Sequence, residues 1–282
     1  REGSLITSRQ IRERLERELE TNVGLQVEFP DNADVFRVSG RGEMHLSVLV
    51  ETMRREGYEL QVSQPQVIFK EVNGKKTEPF EMVTIDVPDD LTGMVIEKLG
   101  KRKGKMLNMN SKNGSTRLEY LIPTRGLLGF RMEFVTATRG EGTLSHVFHE
   151  YGPFKGDIDR RANGSIISGF AGKTTAYSLD NIQNRGALFV GAGVEVYEGM
   201  VIGASAKETM TVNPTKGKQL TNMRSSGADD ATNLTPPIDM NLERSLEYIE
   251  EDEYVEVTPK NIRIRKKWLT EHERKRNTKK IR

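Results

Sequence analysis

The 282-residue sequence contains no cysteine. That excludes disulfide bridges and thiolate metal sites, and it fits a reducing compartment. Aromatic residues are few, 6% of the chain with a single tryptophan, so the cores are modest. Long hydrophobic runs are absent as well. The longest, Ala187–Val194, is broken by glycines and is far shorter than the roughly 20 residues a helix needs to cross a bilayer. Neither an H-E-x-x-H nor a G-x-S-x-G occurs, which leaves zinc hydrolysis and serine-nucleophile chemistry without a motif. His146 and His149 are an odd number of positions apart, on opposite faces of any strand, and cannot pinch one metal. His45 lies beside the inward stripe of a helix and reads as a packed or capping side chain. No secretory signal is visible and the first residue is Arg1, so the chain reads as part of a longer protein. Its length allows two or three domains, and no catalysis or metal is expected of this chain alone.

What is present is charge, unevenly distributed. The net charge is only +2, yet Glu247, Glu250, Glu251, Asp252, Glu253 and Glu256 crowd one stretch. From Lys260 onward basic residues dominate, Arg263, Arg265, Lys266 and Lys267 among them. Such a block serves as a polyanion-binding surface or as a solvated tail. In "LGKRKGKM", Lys101, Arg102, Lys103 and Lys105 fill the turn after a helix. Cations suit a helix C-terminus, but four exceed what a dipole requires, and RNA phosphate contact with salt-dependent binding is expected. "KGKQLTNMRSSGADDATNLTPP", residues 216–237, is long and nearly devoid of large apolar side chains; such loops are functional or disordered. Lys216, Lys218 and Arg224 suit phosphates, while Asn222, Ser225 and Ser226 suit sugar or base edges.

Two stretches carry a pair of closely spaced glycines. "SGRGEMH" (Ser39–His45) is a strand-to-helix turn that either presents Arg41 to a phosphate or simply uses its glycines to turn. "SGFAGKTTAYS" (Ser168–Ser178) ends like a phosphate loop, G-x-x-x-x-G-K-[ST]. The required first glycine, five positions before Gly172, is Ile167, and the stretch reads as a hairpin rather than a strand–loop–helix.

Hydrophobic periodicity supplies the fold. A capping box at Thr7–Gln10 precedes a helical stripe of Ile11, Leu15 and Leu19. Strands "LQVEF" and "DVFRVSG" follow around a turn at Pro30-Asp31-Asn32. Then come a helix at Glu43–Arg55 stopped by Gly57, and a strand from Tyr58 interrupted by Pro65. This α-β-β-α-β order is a ferredoxin-like unit lacking its initial strand. A complete βαββαβ unit comes next: strand 79–88, helix 89–99, a hairpin across Asn113-Gly114, helix 126–138 and strand 143–151. Gly152-Pro153 marks a boundary. Beyond it short strands ("GSIISG", "TTAYSL", "GMVIGASA", "TMTVN", "YVEVTP", "NIRIRKK") form a β-rich domain. It has one helix capped by Asn241 and a terminal helix opened by a capping box at Thr270–Glu273. The expectation is α+β, with domains at 1–76, 77–157 and 158–282.

"FRVSGRGEMHLSVLVETMRREGYEL", "EKLGKRKGKM", "IPTRGLLGFR", "EVYEGMVIG", "KQLTNMRSSGADDA" and "NIRIRKKWLT" together resemble the BipA (TypA) family of bacterial ribosome-binding GTPases, over essentially the whole chain. The resemblance implies that the first two units are domains III and V as in elongation factor G and LepA. It makes the last the family-specific C-terminal domain. Absent are the GTP-binding and β-barrel domains, so GTP and magnesium would bind upstream of Arg1 and "FAGKTT" is a look-alike. The implied role is docking of a monomer in the cytoplasm on the 70S ribosome and its large subunit, in the A-site region. It would support large-subunit assembly and growth under stress, especially in the cold. Residues 216–230 would face the tRNA acceptor end or rRNA, and Lys101, Arg102 and Lys103 the stalk-base RNA. Lys173, Arg263 and Arg265 are further candidates on charge alone. The alternative is a scaffold whose acidic 247–256 segment binds basic ribosomal proteins.

Overall fold

A computed structural model describes residues 2–30, 34–158, 163–217 and 233–281. They divide into two units, one built from Arg1–Gln64 together with Asn163–Arg282, the other from Pro65–Ala162. The first helix, α1 (Ser8–Thr21), begins at the expected capping box. The Thr7 hydroxyl accepts from Gln10 N at 3.3 Å, and Gln10 Oε1 accepts from Thr7 N at 3.1 Å. Strands β1 (Gln26–Glu28) and β2 (Arg37–Ser39) pair antiparallel as a two-stranded sheet; Asp31 and Asn32 of the expected turn lie outside the described residues. Helix α2 (Glu43–Arg55) has two working faces. Leu49 and Met53 pack with Leu15, Leu25 and Tyr58, while Val50 enters a second core. Strand β3 (Leu60–Ser63) follows Gly57, whose φ of 97° ends the helix.

The second unit is the ferredoxin-like fold expected from its βαββαβ order. A short β4 (Lys70–Val72) turns into the long β5 (Lys75–Pro88), and α3 (Thr92–Lys101) follows a single 3₁₀ turn. Strands β6 (Lys105–Lys112) and β7 (Ser115–Pro123) form a hairpin with Asn113 and Gly114 at φ 56° and 81°, the left-handed pair that a two-residue turn requires. The expected helix at 126–138 is two pieces, α4 (Thr124–Leu127) and α5 (Phe130–Ala137), separated by Gly129 at φ 69°. With β8 (Thr143–Pro153) the sheet order is β6-β7-β5-β8. Val83, Ile85, Leu118, Tyr120 and Ile122 meet Val95, Leu99, Phe130 and Phe134 in one core.

The last stretch contributes β9 (Ser165–Ser168), β10 (Gly172–Lys173), α6 (Ala176–Gln183), β11 (Gly186–Leu188), β12 (Glu195–Val196), β13 (Met200–Ser205) and β14 (Met210–Val212). It ends with α7 (Leu242–Tyr248), β15 (Glu253–Val257), β16 (Ile262–Lys266) and α8 (Glu271–Ile281). Asn241 caps α7, and Thr270 and Glu273 cap α8 reciprocally, as their sequence patterns indicate. Two further outcomes differ from expectation. "TTAYSL" is not a strand: Thr175 accepts from Ser178 N at 3.2 Å as an N-cap, and α6 then buries Leu179 and Ile182. Strand β3 does not pair with β1 or β2. It lies antiparallel to β15 with Val255↔Val62 and Val257↔Leu60 in register, completing a seven-stranded sheet ordered β14-β9-β13-β16-β15-β3, with β11 also on β13. The reason is burial. Leu60 and Val62 pack against the core of Val50, Leu246, Ile249 and Val255, the core that β15 itself lines.

Candidate nucleic-acid interface

The lysine-rich turn after α3 is built by its own backbone. Gly104 N donates to Leu99 O at 2.9 Å and Lys103 N to Gly100 O at 3.0 Å, the paired bonds of a Schellman termination. Lys103 occupies the left-handed position at φ 64°, where glycine is usual. Glycine stands one residue later because a Cβ at Gly104 would lie 2.9 Å from the Leu99 carbonyl oxygen. Lys101, Lys103 and Lys105 are exposed; Lys101 also pairs with Glu97 at 2.6 Å, which raises its pKa. Arg102, expected beside them, is turned inward and only 5% exposed. It donates to Gly126 O at 2.9 Å and to Glu133 at 2.8 Å, and lies over the Phe130 ring. Burial acts to raise the Glu133 pKa, but Lys98 and Arg102 outweigh it and hold the carboxyl below its ordinary value.

The C-terminal basic strand is likewise spent on the fold. Arg263 and Arg265 share one face of β16, as alternation requires, but Arg263 pairs with Glu2 at 2.9 Å and Arg265 faces Glu256 at 3.7 Å. Lys266 is buried between Asp252 and Glu253, each at 2.9 Å. Lys267 is exposed beside Trp268. The same contacts occupy much of the acidic segment. Glu253 is fully buried and accepts from the Ser165 hydroxyl at 2.6 Å, and Glu256 accepts from Tyr197 at 2.6 Å. Arg41 rims an open depression of about 580 Å³ with Glu18, Asn22 and His45. The Glu18 carboxylate in that wall opposes an anion.

Lys218, Asn222, Arg224, Ser225 and Ser226 lie outside the described residues. Both ends of the stretch that contains them rest on α6. At its first turn, the Lys216 carbonyl accepts from the Thr175 and Ser178 hydroxyls at 2.6 and 3.2 Å. At its last turn, Gln183 donates to Asn233 O at 3.1 Å and accepts from Thr235 N at 3.0 Å. Thr175, Ser178 and Gln183 were not singled out in the sequence, although a Thr cap followed by Leu179 and Ile182 at helical spacing was readable. Lys173 is exposed, 3.9 Å from Glu195. The phosphate-loop look-alike does not fit a nucleotide. Gly172 and Lys173 are paired in β10, and the Thr174 hydroxyl is committed to Gly191 O and Val194 N.

Among the described residues no helix is long and apolar enough to cross a membrane. Residues 75–162 match the model of the elongation factor G C-terminus, and residues 163–271 that of the TypA/BipA C-terminal domain. A large ribosomal subunit assembly factor BipA from Salmonella typhimurium is 54% identical over 279 residues, 98% of this chain and 46% of that protein. The Haemophilus influenzae protein of the same name is 55% identical over 278 residues, covering 98% and 45%. That of Synechocystis is 54% identical over 267 residues, covering 94% and 45%. The chain thus spans about half the length of the curated relatives it matches. Similar along nearly all of its length to these proteins, and carrying the family's own C-terminal domain after an elongation-factor-type one, the chain belongs to the TypA/BipA family.

Proposed function

We propose that the chain is the ribosome-docking half of a translational GTPase, acting in assembly of the large ribosomal subunit through contacts with RNA. The observation that carries the RNA reading is the turn at Lys101, Lys103 and Lys105. Its backbone is fixed by two hydrogen bonds and its lysines are exposed, so phosphates meet charges carried on a backbone that needs no ordering. Names of the relatives as large ribosomal subunit assembly factors support the ribosomal target. On this reading the protein is a cytoplasmic monomer that docks in the A-site region of the 70S ribosome or large subunit and serves growth in the cold. The α6-bracketed stretch approaches rRNA or the tRNA acceptor end. GTP hydrolysis with magnesium belongs to a domain outside this chain.

Co-sedimentation with 70S ribosomes and with large subunits across a salt series tests the reading. Binding is expected to weaken with salt as counterions are released, and to weaken further in Lys101→Ala/Lys103→Ala and in Arg224→Ala. Salt-independent pelleting, or capture by isolated ribosomal proteins alone, would sink it in favour of a protein scaffold.

A further inference from the structure

Residues 170–177 carry three large exposed side chains. Phe170 is 53% exposed, Tyr177 43%, and the Lys173 side chain 69%. Their backbone is tied down on both sides. Gly169 N donates to Val212 O at 2.8 Å, Thr174 N to Val194 O at 2.9 Å, and Thr175 N to Pro214 O at 3.0 Å. The Ser168 hydroxyl closes the turn onto Phe170 O at 2.7 Å. The two rings therefore stand on fixed backbone, while their neighbours Ile166, Ile167 and Leu179 are buried. A single exposed aromatic is ordinary. Two within four residues of a lysine, on a hydrogen-bonded segment that also holds the Lys216 carbonyl, put exposed ring faces and positive charge on one short stretch of chain.

A polyanion whose bases are free to stack is the ligand that this chemistry fits: the rings take π faces and the lysine takes phosphate. A duplex conceals those faces. Glu195 lies against Lys173 at 3.9 Å with both side chains about 70% exposed, and so loose a pair yields readily to an incoming phosphate.

We propose that Phe170, Lys173 and Tyr177 form a platform for single-stranded RNA, such as an unpaired end or loop. The proposal rests on the RNA-docking reading above and adds to it a preference for unpaired strands. Fluorescence anisotropy of the 282-residue chain with labelled oligouridine, and with a blunt RNA duplex of equal length, tests it. Phe170→Ala and Tyr177→Ala are each expected to weaken oligouridine binding at least about fivefold, the low end for losing one base–aromatic stack, and to leave duplex binding unchanged. Tyr177→Phe keeps the stacking face and binds as the parent does; Glu195→Gln binds more tightly. Equal oligouridine affinity in parent and alanine variants overturns the platform, as does an equal loss on strand and duplex. Co-sedimentation of the same proteins separates the two readings. Alanine variants that bind oligouridine normally, with the parent chain still pelleting with ribosomes, overturn the platform alone. A parent chain that fails to pellet overturns the docking reading.

Discussion

Adjacent residues of the same charge do opposite work in this fold. Arg102 is a structural member of the ferredoxin-like unit, bonded to carbonyls of α4 and the loop after it and stacked on Phe130. Arg102→Ala is expected to cost about 2–4 kcal/mol in urea unfolding, because buried acceptors lose their donor. Lys103 sits at positive φ, a conformation that glycine adopts without strain. Lys103→Gly is expected to stabilise the unit by about 0.5–1 kcal/mol while weakening RNA binding, and a variant that gains stability with unchanged binding would remove Lys103 from the interface. Nothing in "KRK" distinguishes these roles. They are set by where the Schellman turn falls and by Gly126 and Phe130, more than twenty residues away. Glu2 offers a pH test. Hydrogen bonds from Thr258 first, then Arg263 and Asn261, outweigh burial and lower its pKa from 4.5 to about 2. A carboxylate depressed in the folded state stabilises above its unfolded pKa and loses that contribution as pH falls through the folded one. Stability should therefore drop between about pH 4.5 and pH 2, and Glu2→Gln should flatten the slope in thermal scans over that range.

At the scale of elements, α6 organises the C-terminal domain's candidate surface. Its first turn holds Lys216 and its last turn holds 233–235 through one side chain, Gln183. Gln183→Ala is expected to leave the melting temperature within a few degrees, since these bonds are exposed. It should lower ribosome affinity severalfold by loosening one stem of the bracketed stretch; unchanged pelleting would make the bracket irrelevant to docking. The helices opened by side-chain caps (α1, α7, α8) and α2, read from its apolar stripe and its stop at Gly57, were legible in the sequence, as was the Asn113-Gly114 hairpin, because their signals are local. Helix α6 was not: "TTAYSL" is rich in β-branched and aromatic residues, and the Thr175 cap with burial of Leu179 and Ile182 overrode that preference. The pairing of β3 was hidden for a different reason, because its partner lies almost two hundred residues along the chain.

For the whole molecule, the sheet shared by the two ends of the chain is the feature with the widest reach. Removing residues 1–64 would strip β3 from β15 and take Val50, Leu60 and Val62 from the core of Val255 and Val257. That leaves an unpaired edge beside an opened core. A chain beginning at residue 65 is expected to self-associate in size-exclusion chromatography, and a monodisperse truncation would contradict this. The family assignment came from contiguous sequence motifs, whereas the unit boundaries come from contacts that close only in three dimensions. The same sheet also orders events during synthesis. Leu60 waits for Val257; at about 5–20 residues per second the ribosome needs roughly 10–40 s to make what lies between. The contiguous unit 65–162 can settle in that interval. The first 64 residues cannot complete their sheet then, and for that time Val50, Leu60 and Val62 have no partner surface to close over them.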